Sequence, residues 1–300
     1  MFVDAIRPSD IASLLPIAPS APAAPPTPTA PVRFDAADLY GPRGPTPADI
    51  QQNNFGDCYY VATLAAVAQQ QPSRITDAID YDAASGNFTV TLYDSSGNPQ
   101  RIEVTQAEIA DNIRRGGGST ADNTGQDARI WPDVMEVAYA KQLDTNHADG
   151  LDQGYTDLVD GGWPQDAMQA VTGDRGSEIR YSEGLFESQS SALDRTAKQV
   201  EAALANGRPV TLWSVPENRS LWDTITGGEG DQDGLVDNHV YSVESITQDS
   251  NGDWQVTLRN PWATNAGVEG GSSTAASITV PLEKLVETGG LEAFTAGPAR

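Results

Sequence analysis

The sequence predicts an α+β fold in two lobes, a helical lobe that carries the single cysteine and a β-rich lobe that carries a histidine and an asparagine. An apolar helical run follows Cys58, a hairpin pattern spans residues 238–260, and a glycine-rich stretch occupies residues 116–125. The glycine-rich stretch is a candidate boundary between the lobes. We therefore predict a first lobe at residues 34–118 and a second lobe at residues 119–300.

The N-terminal segment differs in composition from the rest of the chain. Residues 16–31 are rich in proline, alanine, threonine and serine, and they lack the apolar residues that a core requires. Such a composition is typical of an extended, polyproline-like linker. We predict that residues 1–33 form a flexible segment outside the two lobes.

Cys58 is the only cysteine of the chain, and it directly precedes the apolar run at residues 60–68. This position predicts that the thiol lies in the first turn of a helix, where free N–H groups and the helix dipole stabilise a thiolate. A thiolate is a nucleophile. The alternative interpretation is a small buried apolar residue, and the local sequence by itself favours that alternative.

The hairpin pattern contains the second candidate group. Of the two histidines, His147 lies in a polar loop, whereas His239 opens a strand-like segment rich in β-branched and aromatic residues. After an Asp-, Asn- and Gly-rich turn, a second strand runs over residues 254–260. In an antiparallel hairpin His239 and Asn260 meet at the open end, where the amide can accept the imidazole N–H and fix its tautomer.

Each of these residues has an ordinary structural interpretation. His239 can be a strand-end histidine, and Asn260 can be a turn residue held extended by Pro261. Taken together, Cys58, His239 and Asn260 supply the three different groups of a Cys-His-Asn catalytic site. The combination therefore favours nucleophilic catalysis by the thiol.

Other segments complete the predicted fold. The strand-like patterns, the apolar helical stripes and the turns between them give the following further elements: strands at 87–93 and 101–104, a helix from Trp131, a helix at 191–206, a strand at 209–213, and a strand with a short helix at 277–285.

Four of these segments resemble the protease core of the calpain family of cysteine peptidases. Residues 52–59 are similar to the family's Gln-Gly-x-Leu-Gly-Asp-Cys-Trp, and residues 131–141 to its Trp-x-x-Leu-x-Glu-Lys-Ala-Tyr-Ala-Lys. Residues 238–243 resemble Gly-His-Ala-Tyr-Ser-Val, and residues 258–263 resemble Leu-Arg-Asn-Pro-Trp-Gly. The segments occur in the family's order, and the resemblance extends over roughly residues 35–295.

The resemblance implies a papain-like, two-lobed calpain protease core and a role for each matching residue. It implies that Cys58 is the nucleophile, that His239 is the general base and acid, and that Asn260 orients His239. It implies that Gln52 donates its side-chain amide to the oxyanion hole, together with the backbone N–H of Cys58. Trp262 matches the tryptophan that gates the substrate groove in the inactive enzymes.

Three neighbouring positions depart from the family pattern. Tyr59 replaces a tryptophan, and Asn238 and Ala263 each replace a glycine. None of these changes removes a catalytic group, so they bear on the shape of the groove and on activation.

The resemblance implies a calpain-like cysteine endopeptidase that acts through an acyl-thioester. Two alternatives stay open, namely a deamidase or acyl transferase on the same triad and an inactive calpain-fold binding module. The chemistry requires no cofactor. Calcium is a candidate activator, but the acidic segments at 229–234 and 249–253 lack a complete EF-hand pattern, so no metal site is assigned.

The composition limits the partners. The net charge of −24 disfavours phosphate backbones and anionic membrane surfaces, and no apolar run reaches the length of a membrane span. We expect protein or peptide substrates and, for a bacterial effector or toxin, an inhibitor or immunity protein. Residues 1–17 lack the basic start of a secretory signal, which favours the cytoplasm or a leaderless export route.

Overall fold

The computed structural model describes residues 33–119, 129–145, 150–217, 233–266 and 273–300. The predicted flexible segment therefore lies outside the described residues, apart from Arg33, and so does His147. The described part of the chain combines α-helices with two antiparallel sheets, which confirms the predicted α+β class.

The described helices occur mostly in the first two thirds of the chain. They are α1 (Ala36–Leu39), α2 (Cys58–Gln70), α3 (Pro72–Ala78), α4 (Gln106–Arg115), α5 (Trp131–Leu143), α6 (Asp152–Val159), α7 (Pro164–Thr172), α8 (Gln189–Ala205) and α9 (Leu282–Thr288). Local chemistry sets several of the ends. Pro72 at the start of α3 follows the end of α2, and α4 begins with a capping box between Thr105 and Glu108 and ends at Gly116 in the left-handed region.

The strands form a small sheet and a large one. The small sheet has the order β1–β2–β3, with β1 at Ile79–Asp82, β2 at Asn87–Tyr93 and β3 at Pro99–Val104. The large sheet has the order β4–β9–β5–β6–β7–β8, with β4 (Ser177–Ile179), β5 (Val210–Ser214), β6 (His239–Gln248), β7 (Trp254–Arg259), β8 (Ser277–Pro281) and β9 (Leu291–Ala296).

The predicted hairpin is the β6–β7 pair in the middle of the large sheet. Its closed end pairs Gln248 with Trp254, and its open end pairs Ser242 with Arg259. The register shifts between Val243 and Ser245, as in a β-bulge, so the two arms are not of equal length. The bulge leaves His239 beyond the last paired residues while its side chain still reaches Asn260.

The first hydrophobic core surrounds α2. Ten consecutive residues of this helix, Tyr59–Ala68, are buried, because α3, α7, β5 and β6 pack against it and Tyr60 stacks on Tyr139 of α5. The same core includes the buried residues of α5, α6 and α7 up to Val171. The predicted boundary at residues 118 and 119 therefore falls inside this core and does not separate it from the second one.

The glycine-rich stretch has a packing function at that point. Gly117 and Gly118 lie against the side chain of Glu136 on α5, and a Cβ atom on Gly118 would lie 2.5 Å from the Glu136 Oε1 atom. Such a contact is too short for any side chain, so glycine is required here for close approach. The glycine-rich pattern by itself predicts a flexible break at the same residues.

The second core lies between the large sheet and helices α8 and α9. Its buried residues include Leu212, Tyr241, Val256 and Phe294. Val240, by contrast, faces the first core, because side chains alternate along β6. The strand β6 therefore contributes to both cores and joins the cysteine helix to the large sheet.

Within the described residues, no helix combines the length and apolar character needed to cross a lipid bilayer.

Candidate active site

Cys58 occupies the first position of α2, as the sequence predicts. Asp57 is the N-cap, and its carbonyl oxygen accepts hydrogen bonds from the N–H groups of Tyr60 and Val61 at 2.7 and 3.1 Å. The sulfur faces the backbone N–H groups of Cys58 and Tyr59, and it also contacts the N–H of Val240 on β6. Since Val240 follows His239, the fold places the thiol next to the histidine-bearing end of β6.

The thiol is nevertheless protonated in this setting. Burial raises the pKa of Cys58 to about 11, and the charge of Asp57 raises it further, whereas the three backbone N–H groups lower it. Burial therefore opposes the thiolate that the helix start is predicted to stabilise. The N–H groups are present, but desolvation of the charge outweighs them.

His239 and Asn260 are in direct contact, as predicted. The Nε2 atom of His239 lies 3.0 Å from the Oδ1 atom of Asn260, and both residues are buried. The backbone N–H of Trp262 donates to the same oxygen at 3.0 Å. Because a backbone N–H can only donate, the shared atom is an oxygen, and Nε2 of a neutral imidazole must carry the proton. The lone pair of the base therefore lies on Nδ1.

Burial also keeps the imidazole neutral. It lowers the pKa of His239 to about 4, while the hydrogen bond to Asn260 acts in the opposite direction. The ring packs edge-to-face on Tyr241 with centroids 4.9 Å apart, and Trp262 lies 4.8 Å away at a tilt of 47°. The resting site thus combines a neutral base with a neutral thiol, and Trp262 contacts the base.

A second asparagine, which the sequence did not indicate, holds the first one. The Nδ2 atom of Asn260 donates to Oδ1 of Asn265 at 3.2 Å. Asn265 is fully buried, and its own Nδ2 donates to the carbonyl oxygens of Ala275 and Ala276 at 2.9 and 3.1 Å. The orientation of Asn260 is therefore determined at both ends of its amide.

The two residues that replace family glycines have unusual backbones. Asn238 and Ala263 have φ angles of 52° and 57°, and they are the non-glycine residues with positive φ in the described part of the chain. Asparagine tolerates the left-handed region, whereas alanine is disfavoured there. The turns beside His239 and Trp262 thus need a glycine-like conformation, although neither residue is glycine.

Gln52 lies next to the cysteine turn, but its donors point inward. Its Nε2 atom donates to the carbonyl oxygen of Phe55 at 2.7 Å and to Oδ1 of Asp57 at 3.2 Å. Its Oε1 atom is buried without a hydrogen-bond partner. The side chain that is expected to stabilise an oxyanion therefore uses both amide hydrogens internally.

Next to Gln52 lies a group of buried acidic side chains that the sequence motifs did not indicate. Asp57, Asp133 and Glu136 are all fully buried. The Nδ2 atom of Asn112 donates to Asp133 at 3.0 Å and to Oε2 of Glu136 at 2.8 Å, and the N–H of Gly118 also donates to Oε2 at 2.8 Å. The side chains of Asp57 and Glu136 lie close enough to each other to interact directly. The sequence signal was present, since Asp57 adjoins Cys58 and Glu136 lies in the Trp131 segment.

Several hydrogen bonds join the cysteine region to the large sheet. The backbone N–H of Gln52 donates to the carbonyl oxygen of Pro261 at 2.8 Å, and Arg259 Nε donates to the carbonyl oxygen of Pro47 at 3.1 Å. At the far end of α2, Gln69 Nε2 donates to the carbonyl oxygen of Glu244 at 2.9 Å. The loop before Cys58 and the turn after Asn260 therefore share a backbone contact.

The arrangement of acidic side chains bears on calcium binding by the residues that the structure describes. No group of three or more His, Cys, Asp or Glu side chains among them is arranged to hold a metal ion. The Oδ1 atom of Asp249 accepts the N–H groups of Asn251 and Asp253 at 2.8 and 3.0 Å, so it serves the turn. Of the other acidic segment, residues 229–232 lie outside the described ranges.

The sequence also matches known proteins. A family model described as calpain family cysteine protease matches residues 30–277. The calpain-type cysteine protease DEK1 of Arabidopsis thaliana is 26% identical over 228 residues, which cover 72% of this chain. A thiol protease of Porphyromonas gingivalis is 22% identical over 231 residues, and calpain-13 of Rattus norvegicus is 26% identical over 226 residues.

The matches cover only part of each relative. The aligned region makes up 9% of the Arabidopsis protein, 43% of the Porphyromonas protein and 30% of the rat protein. In this chain it covers 71–73% of the residues in the Porphyromonas and rat comparisons. The similarity therefore concerns a protease core that is shared by much longer proteins.

Proposed function

Since the chain belongs to the calpain family of cysteine proteases, we propose that it is a cysteine endopeptidase in which Cys58, His239 and Asn260 carry the reaction. The observation that supports this most directly is the buried His239–Asn260 hydrogen bond of 3.0 Å at the end of the strand whose Val240 N–H contacts the Cys58 sulfur. One strand thus presents the base and also touches the nucleophile.

The first step follows from the neutral resting site. Nδ1 of His239 is the nitrogen with the lone pair, so it accepts the Cys58 proton as the sulfur attacks the peptide carbonyl. The hydrogen bond from Nε2 to Asn260 stabilises the imidazolium that forms. In this mechanism His239 is a general base for a thiol, and the ion pair exists only during the reaction.

The oxyanion requires donors that the resting site only partly offers. The backbone N–H of Cys58 is one donor, and the second is Gln52 Nε2, which must first release its bond to Phe55 or to Asp57. We propose that substrate binding turns this amide. The partnerless Oε1 atom of Gln52 supports the proposal, because the resting conformation leaves a buried acceptor unsatisfied.

The later steps return the enzyme to its starting state. The imidazolium of His239 donates its proton to the leaving amine, which leaves the acyl group on the Cys58 sulfur. The neutral imidazole then takes a proton from water as the water oxygen attacks the thioester carbonyl. The C–S bond breaks, the imidazolium returns the proton to the Cys58 sulfur, and the carboxylic acid product leaves. Trp262 packs on the His239 ring, so its displacement is the proposed gate for substrate entry.

The decisive experiment compares the wild-type chain with Cys58→Ala on an unstructured protein substrate, with products identified by mass spectrometry. Hydrolysis produces new peptide termini, whereas deamidation and acyl transfer change the substrate mass without cleavage. We expect cleavage by the wild type and none by Cys58→Ala. Cleavage by Cys58→Ala would refute the mechanism, and a mass change without cleavage would favour the deamidase or acyl transferase alternative.

The proposed chemistry uses only side-chain and backbone groups and needs no cofactor. Calcium remains a candidate activator that acts on conformation, without an assigned site. A calcium titration followed by thermal unfolding and by cleavage tests this role, because a ligand that binds the folded state raises Tm. We expect any calcium effect on cleavage to be accompanied by a rise in Tm.

The finer biological proposal is that of a bacterial effector or toxin acting on protein substrates and held in check by an inhibitor or immunity protein. The similarity to the bacterial thiol protease supports a bacterial setting. Affinity capture with Cys58→Ala, which keeps the groove but cannot cleave, should retain a substrate or an inhibitor. If neither protein is captured in cross-linked lysates of several candidate hosts, the effector proposal fails.

A further inference from the structure

The buried carboxyl groups behind the cysteine turn pose a chemical problem of their own. Asp57 and Glu136 are each fully buried, and within the described residues no ion pair links either of them to a basic side chain. Two carboxylates in contact without a counter-ion repel each other, and desolvation adds to the cost. A proton between them removes the repulsion and leaves one buried charge in place of two.

The hydrogen bonds indicate where that proton lies. Oε2 of Glu136 accepts from Asn112 and Gly118, and Oδ1 of Asp57 accepts from Gln52. The other oxygens, Glu136 Oε1 and Asp57 Oδ2, are buried and have no donor from another residue. These two oxygens face each other at the start of α2, where Glu136 Oε1 and the Val61 side chain both lie against Gly118, and two carboxyl groups in such a position can form a hydrogen bond only if one of them is protonated.

We propose that Asp57 and Glu136 form an acid pair that shares one proton, with Glu136 as the donor, and that this pair is a positioning device for Gln52 and the Cys58 turn. The role in positioning rests on the proposed function. With Glu136 donating to it, Asp57 stays an acceptor for the Gln52 amide and fixes the N-cap of α2. Loss of the proton pushes the two carboxylates apart and moves the turn that carries Gln52 and Cys58.

The electrostatics agree with this assignment. Burial raises the pKa of Glu136 well above its ordinary value, and the charges of Asp57 and Asp133 raise it further. Burial raises the pKa of Asp57 to about 6, whereas its hydrogen bond to Glu136 lowers it. Glu136 is therefore the partner that keeps the proton near neutral pH.

Other titratable groups also face the acid pair. They are Asp133 on α5, Cys58, Tyr59 and Tyr60 on α2, and Tyr155 on α6, while Asp111 and Arg115 on α4 act on Tyr155. Burial raises the pKa of the three tyrosines and of the cysteine, so these groups stay neutral through the neutral range. Asp133 accepts hydrogen bonds from Asn112 and Ser119.

The pair makes stability depend on pH with a definite sign. The folded state holds this proton more tightly than the unfolded chain does, so unfolding releases it above the ordinary carboxyl range. The free energy of unfolding therefore falls as the pH rises from that range through the raised pKa of the pair. An uncharged donor at position 136 removes this dependence.

Glu136→Gln tests the proposal directly, because its amide N–H replaces the shared proton while its oxygen still accepts from Asn112 and Gly118. Glu136→Met has similar length but cannot donate or accept. Glu201→Gln, on the exposed face of α8, is the matched control. Thermal unfolding is measured across the pH range, and so is kcat/KM on a cleavable peptide.

We expect Glu136→Gln to gain Tm relative to the wild type as the pH rises, by about 3 °C or more between about pH 5 and about pH 8. Its kcat/KM should stay within about threefold of the wild type, whereas Glu136→Met should lose about tenfold or more, the order expected for a lost hydrogen bond to a charged group. Glu201→Gln should show no pH-dependent change in Tm.

Infrared spectroscopy provides a readout that needs neither activity nor a fragile variant. A protonated carboxyl has a C=O band that a carboxylate lacks, and we expect this band in the wild type at neutral pH and its loss in Glu136→Gln. If Glu136→Gln loses Tm at every pH, or if the wild type has no such band, the shared proton is refuted. If the unfolding and infrared results hold but the wild type cleaves nothing, the proposed function fails and the acid pair stands.

Discussion

The two halves of the site differ in how their buried polar atoms are satisfied. On the histidine side, the Asn260 oxygen accepts two hydrogen bonds, and its Nδ2 donates to Asn265, which is itself bonded to two carbonyl groups. On the cysteine side, Gln52 Oε1 and Asn112 Oδ1 are buried without a hydrogen-bond partner, and the facing oxygens of Asp57 and Glu136 accept from no other residue.

This difference separates a rigid half from an adjustable half. A network with each hydrogen bond made has one low-energy arrangement, so the imidazole is held before substrate arrives. A region with unsatisfied acceptors gains by rearranging, and here the Gln52 amide and the shared proton are the parts that can change. This contrast supports the proposal that the base is preorganised and that the oxyanion donors are completed on binding.

We expect the largest loss of activity when the hydrogen bonds of Asn260, on the histidine side, are removed. Asn260→Ala removes the acceptor of both His239 Nε2 and the Trp262 N–H, so the imidazole loses its tautomer and orientation. We expect kcat to fall by on the order of 100-fold, within the range that general base catalysis supplies. Asn251→Ala, at the exposed tip of the same hairpin, is the control, and a loss below about tenfold in Asn260→Ala would contradict the preorganised base.

The second prediction concerns the protonation state of the Cys58 thiol. Because burial raises the pKa of Cys58 to about 11, only a small fraction of the thiol is ionised near neutral pH. Alkylation by iodoacetamide should therefore be about 100-fold slower at neutral pH than for an exposed thiol, and its rate should keep rising with pH. A rate that is already constant with pH near neutrality would instead indicate a resting ion pair with His239.

We expect a smaller effect on kcat from Asn265, which holds Asn260 in place. Asn265→Ala leaves the Asn260 Nδ2 atom and two backbone carbonyl groups without their buried partner. A loss of about tenfold in kcat, with little change in KM, corresponds to one such hydrogen bond. An equal loss from Thr264→Ala, its half-buried neighbour, would show that the loop matters only as a whole.

The smallest effect concerns the free energy of unfolding and comes from the two non-glycine residues with positive φ. Ala263→Gly relieves an alanine with φ of 57°, and it should raise the free energy of unfolding by about 1 kcal/mol. Asn238→Gly, with φ of 52°, should change it less, because asparagine tolerates this conformation. Chemical denaturation of both variants measures the difference, and a destabilised Ala263→Gly would contradict the assigned backbone.

Much of the fold could be predicted from local patterns. The apolar period after Cys58, the helix from Trp131 and the strands at 87–93 and in the hairpin are all present. Helices α4, α6 and α7 were not predicted, because they are short and depend on tertiary packing, α4 and α6 against α5 and α7 against α2. The capping box at Thr105 and Glu108 was a readable start signal for α4.

The lobe boundary could not be predicted in the same way. Residues 116–118 look like a flexible break because glycine is common in linkers, yet Gly117 and Gly118 are buried against Glu136. A glycine required for close approach and a glycine in a linker are identical in sequence. Only the side chains that pack around them distinguish the two cases.

The sequence by itself determined which groups are available to the chemistry, since one thiol, one strand histidine and one asparagine at a strand end could be identified from residue type and order. Tertiary structure decided their charge states and their partners. Burial, which depends on the packing of distant segments, raises the pKa of Cys58, lowers that of His239 and brings Asp57 next to Glu136. Desolvation and hydrogen bonds between distant residues are properties of the folded surroundings, and no local pattern specifies them.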